Sequence, residues 1–159
     1  NLGINRASLY DTYGDKEGLF IKCFDIYKKG KIDLVIEIFN NEEDPKKGLK
    51  TLFTTLLDTI CEDPEKKGEF ISNTLSECIA SNGVINTYLK KSKEEAFNIL
   101  ESYLADGVKK GYLKKGSNTK GMTYSIISTA IGTMVLSKIG SPSQKLKENL
   151  YNNLNMILS

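Results

Sequence analysis

From Asp15 onward apolar residues recur at three- and four-residue steps, and no stretch alternates apolar and polar residues long enough to make a strand. That periodicity restricts the chain to an all-α architecture. Asp15 predicts the cap of a long helix reaching about Phe39, with Phe20, Cys23, Phe24, Tyr27, Leu34, Val35 and Ile38 as its apolar stripe. Asn40 to Asp44 is a polar break. Asp44 as N-cap and Pro45 at the first helical position then open a second helix, where Leu49, Leu52, Phe53, Leu56, Leu57 and Ile60 form a broad apolar face. A loop over Glu62 to Lys67 leads to a shorter helix, about Glu69 to Ala80. The next helix runs from about Val84 to Lys110 and stops at Gly111, a residue suited to a left-handed cap. From about Thr119 to Ile139, Ser125, Ser128, Thr129, Ala130, Gly132 and Thr133 make one side of a helix small. Ser141-Pro142-Ser143-Gln144 reads as a capping box that opens a terminal helix with Leu146, Leu150, Leu154, Ile157 and Leu158 on one face.

The segment Leu2 to Phe20, LGINRASLYDTYGDKEGLF, adds a tight turn and a short helix ahead of this array. Gly3 supplies a backbone that tolerates positive φ, Asn5 can cap the N-terminus that follows, and Gly14 then Asp15 end one helix and begin the next. Such a helix is short and exposed.

Gly3, Ile4, Leu9, Tyr10, Lys16, Glu17 and Leu19 in this segment resemble the second half of the helix-turn-helix of the tetracycline-repressor (TetR) family of bacterial transcriptional regulators. Asn5 departs from the Ser or Thr commoner there but still caps, and Tyr13 replaces a Phe. The resemblance implies a partial helix-turn-helix domain over residues 1–31, with a recognition helix at about 5–13, followed by a helical ligand-binding and dimerisation domain over 32–159. Arg6, Ala7, Ser8 and Asp11 would then face the major groove, where Arg can pair with guanine and Ala can touch a thymine methyl. Tyr10, Thr12 and Lys16 would hold phosphates. Because a helix-turn-helix needs a first helix to support the recognition helix, about two further helices are expected ahead of Asn1.

The segment from Gly68 through Leu113 resembles, more weakly, the ligand-domain helices of the same family. The implied partners are operator DNA, a second copy of the chain through helices at about 119–139 and 142–158, and a small-molecule effector. Tyr27, Phe24, Phe53, Leu57, Phe70, Asn73, Glu77, Tyr103 and Tyr124 are the candidate effector contacts, large side chains of which several carry polar tips. Asn73 and Glu77 are four residues apart and so share a helix face. The competing reading is a helical small-molecule or protein-binding module without DNA-binding activity.

Composition narrows the chemistry further. The 159 residues contain no histidine, which removes the commonest general base and transition-metal ligand, so neither an enzyme nor a metal site nor a cofactor is expected. Cys23, Cys61 and Cys78 show no CxxC spacing and read as small reduced core residues. The net charge of +2 is too small to argue for nucleic acid by itself, so any DNA footprint must be local. No run approaches the roughly 20 apolar residues of a membrane span, and no leader pattern is evident at the start, so a cytoplasmic location is the expectation.

Overall fold

Six α-helices make up the regular structure of residues 5–61 and 83–159, the part of the chain that the computed structural model describes. They are α1 (Arg6–Tyr13), α2 (Lys16–Asn41), α3 (Pro45–Cys61), α4 (Val84–Lys109), α5 (Thr119–Lys138) and α6 (Ser143–Ile157). The loop expected over Glu62–Lys67 and the helix expected at about Glu69–Ala80 lie outside the described residues, as do Cys78 and the side chain of Cys61.

Local chemistry sets the boundaries of these helices. Gly14 adopts φ 83° between α1 and α2, and the Asp15 carboxylate then accepts from the Gly18 N–H at 2.7 Å, capping α2. The Asp44 carboxylate accepts from the Lys46 N–H at 2.9 Å at the start of α3, as its place before Pro45 predicts. Gly111, at φ 84°, closes α4. The capping box expected at Ser141 does not form. Gly140 takes φ 89° and the Ser141 N–H donates to the Leu136 carbonyl at 3.2 Å, so Ser141 finishes α5 instead of starting α6. Pro142 becomes the N-cap of α6, with no side-chain bond to the helix.

The core is built from α3, α4, α5 and α6. Leu49, Leu52, Phe53 and Leu57 meet Leu100, Tyr103 and Leu104, closed by Ile126 and Ala130 on one side and by Leu150, Leu154 and Leu158 on the other. Helix α2 joins this cluster through Val35, Ile38 and Phe39, at the end remote from α1. Two glycines allow the close approaches. A Cβ on Gly107 would overlap the Pro45 ring, and one on Gly48 would overlap the Tyr103 hydroxyl.

That hydroxyl donates to the carbonyl oxygens of Glu42, at 2.5 Å, and Asp44, at 3.2 Å, while the ring stacks on Phe39 with centroids 3.8 Å apart. Tyr103 therefore ties the α2–α3 turn to α4. Burial, and secondarily the charges of Glu42 and Asp44, push its pKa above the ordinary tyrosine value. Because the folded-state pKa is raised, this contribution to stability is fully present below about pH 10 and is lost as pH climbs through the folded value. Tyr103→Phe should cost about 1 kcal/mol near neutrality. In urea unfolding, the variant should lose less stability than the parent between about pH 8 and about pH 11.

Two further expectations need correction. Cys23 is exposed, not core, because it lies about 100° around α2 from Phe24, which is the buried position. The small residues of α5 do not share one side. Ala130 and Thr133 are buried, whereas Ser125, Ser128 and Gly132 face outward and Thr129 lies between. Buried Thr123 and Thr133 satisfy their hydroxyls on the carbonyls of Thr119 and Thr129, at 2.9 and 2.8 Å.

Candidate nucleic-acid interface

Among the described helices α1 packs against α2 alone, so its aim is set by the Gly14 turn and by the direction of α2. Ser8, Asp11, Thr12 and Lys16 are all exposed, as the DNA-contact reading requires of them. The side chains of Arg6, Ala7 and Tyr10 are outside the described part. The Thr12 hydroxyl donates to the Ser8 carbonyl at 2.9 Å, so it must rotate before it can donate to a phosphate. Lys16 opens α2, where the backbone N–H groups of the first turn add to its positive field.

The candidate effector residues divide into three groups. Phe53, Leu57 and Tyr103 are buried in the main core, and Phe24 is buried apart from it, edge-on to the Tyr88 ring at 5.8 Å. Tyr27 is half-buried with Lys31 Nζ 5.5 Å above its ring, and Tyr124 is 50% exposed beside Phe97. Phe70, Asn73 and Glu77 lie outside the described residues. A recess of about 390 Å³ between α2 and α4 is bordered by Ile36, Phe39, Ile99 and Tyr103, with Lys110 paired to Glu43 at 2.7 Å at its rim. Of the described candidates, Tyr103 borders it. Its other walls escaped sequence reasoning because they come from residues some 60 positions apart on two helices.

The outer faces of α5 and α6 differ in character. On α5, Gly121, Ser125, Ser128, Gly132, Val135 and Ile139 follow one another at alternating four- and three-residue steps along an uncharged stripe, flanked by exposed Ile131 and Leu136. On α6 the leucines all turn inward, and the outer face carries Lys145, Glu148, Asn149, Asn152 and Asn155 with Met156 as its large apolar residue. No helix among the described residues is long and apolar enough to cross a membrane, and no group of three or more His, Cys, Asp or Glu side chains among them is placed to hold a metal.

No protein-family profile matches the sequence. It is 34% identical over 101 residues to an uncharacterized HTH-type transcriptional regulator, YezE, of Bacillus subtilis (strain 168), a match that takes in 61% of this chain. The chain spans about half, 52%, of the length of that curated relative. The structure superposes with a TM-score of 0.85 on a cysteine-substituted form of the TetR-family regulator CifR solved with 26-base-pair operator DNA, at 18% identity, covering 96% of this chain and 79% of that one. TetR-family regulators from Streptomyces coelicolor (TM-score 0.78, 14% identity, 98% and 72% coverage) and Haloarcula marismortui (TM-score 0.75, 17% identity, 98% and 80% coverage) superpose as well. The short α1 hung on the long α2, and the four-helix core behind them, are thus the fold of the TetR-family transcriptional regulators.

Proposed function

We propose that the chain is a cytoplasmic, dimeric DNA-binding transcriptional regulator, a repressor released from its operator by a small molecule. The observation that carries this reading is α1, a short helix that among the described helices packs on α2 alone and carries Arg6, Ser8, Asp11 and Thr12, with Lys16 at the start of α2 beside it, in a fold otherwise seen bound to operator DNA. Arg6, Ala7, Ser8 and Asp11 read base edges near the N-terminal end of that helix, and Tyr10, Thr12 and Lys16 hold phosphates. The uncharged stripe on α5 supports a two-fold dimer, with α6 alongside it, which presents two copies of α1 to half-sites about 34 Å apart. The effector acts by its differential affinity for two settings of α2, and the recess bordered by Tyr103 and Phe39 is the entry that the described residues offer.

Fluorescence anisotropy of the full-length protein with duplex DNA from upstream of its own gene tests the DNA reading. Arg6→Ala should lower the preference for that duplex over a scrambled one by about 1–3 kcal/mol. Lys16→Ala should weaken both duplexes alike and reduce the salt slope by about one. Unchanged titrations for both variants would remove α1 from the interface.

A further inference from the structure

Among the described residues the main core takes in α2 at Val35, Ile38 and Phe39 and not at the half nearest α1. Among the described residues that half meets α4 through polar side chains that alternate across the seam and through the buried Phe24. The Tyr88 hydroxyl donates to the Asp25 carboxylate. Lys28 Nζ donates to Glu95 at 3.0 Å, stands 3.9 Å from Asp25 and lies 5.4 Å over the Tyr88 ring. Asp25 and Lys28 are one turn apart on α2, and Tyr88 and Glu95 two turns apart on α4, so the four groups form one continuous network across the two helices. Phe24 backs it, edge-on to Tyr88. Closer to α1, a Cβ built on Gly83 at the start of α4 would come within 3.9 Å of the Glu17 carboxylate.

We infer that Asp25, Lys28, Tyr88 and Glu95 form a releasable catch that sets the angle between α2 and α4 and hence the aim of α1. The chemistry suits release. Glu95 and Asp25 are close to half exposed, so water can replace their partners at small cost, whereas separating the apolar end at Val35 to Phe39 would expose core. With the catch open, α2 keeps its remote anchor and gains freedom at the end that carries α1. Tyr88 is in this sense a positioning residue. The consequence for DNA rests on the reading of α1 given above, but the catch itself does not.

Hydrogen–deuterium exchange on the full-length protein separates the two. Tyr88→Phe keeps the ring and its contact with Phe24 while removing the hydroxyl, and Glu95→Gln keeps the shape while removing the charge. In both variants the amides of residues 6–30 and 84–96 should exchange about fivefold faster, with those of α5 and α6 unchanged. Affinity for the upstream duplex should fall by a similar factor in Tyr88→Phe. Parent-like exchange at residues 6–30, or acceleration spread equally over α5 and α6, overturns the catch. A parent protein that binds no duplex, with the local acceleration still present in the variants, leaves the catch standing and discards the DNA reading.

Discussion

Val135→Asp is expected to split the proposed α5-paired dimer into monomers and, with it, to abolish the proposed tight binding to operator DNA. Val135 is 47% exposed on the uncharged stripe of α5, between Gly132 and Ile139, and belongs to no part of the main core. In a two-fold pairing through this stripe the introduced carboxylate is withdrawn from water, and the stripe offers it no cation, since Lys138, one turn on at its edge, is half-buried and already engaged. A buried charge without a partner costs about 3–5 kcal/mol, so the dimer dissociation constant should rise by at least about a hundredfold. Sedimentation equilibrium would read this directly, and the thermal midpoint of the separated protomer should stay near that of the parent protomer. Asn152→Asp, on the polar outer face of α6, should shift the equilibrium far less. A dimer that survives Val135→Asp unchanged would move the contact away from α5.

Leu104→Ala should produce the largest loss of folding stability, about 2–5 kcal/mol, near the top of that range. Leu104 is 0% exposed and sits in the cluster that α3, α5 and α6 close around α4. What decides the magnitude is whether the neighbours can collapse into the space left by the lost carbons. Gly107, one turn further on, holds α4 against the Pro45 ring so closely that not even a Cβ fits, and Tyr103 is stacked on Phe39 and bonded to two carbonyls. Both contacts stop α3 and α4 from sliding inward. Urea unfolding of the variant would measure the loss, and a cost below about 1 kcal/mol would mean that the core repacks freely.

How much of this was legible in the sequence depends on how far apart the interacting residues are. Asp15, the Asp44–Pro45 pair and Gly111 act within one helical turn, and their positions fix the ends of α2, α3 and α4 within a residue or two. Ser141 misleads for a local reason too. A serine before a proline fits a cap, but the left-handed Gly140 ahead of it draws its N–H back to Leu136, and the earlier helix claims the residue. Periodicity also blurs neighbours, as Cys23 shows beside Phe24, since a stripe read by eye is wider than the face that becomes buried. Asp25 and Tyr88 are 63 positions apart, as are many walls of the α2–α4 recess, and no local pattern reports such pairs. The short helix α1 was legible as an element, and the residues around it were legible as a likeness to a known family whose fold the structure shares. Its side-chain chemistry toward bases comes from that likeness, because base readout depends on a partner whose geometry no local sequence pattern records.

Among the described helices α1 is attached to α2 alone, and this makes α2 a lever. From Lys16 to Val35 its axis runs about 28 Å at roughly 1.5 Å per residue. A tilt of only about 6° around the remote anchor would carry the tip about 3 Å, one hydrogen-bond length, enough to lift a side chain off a base edge. Amplification of this kind asks little of a bound molecule and much of the rod that transmits it. Rigidity of α2, more than any rearrangement of the core, therefore governs how faithfully a signal would reach the tip.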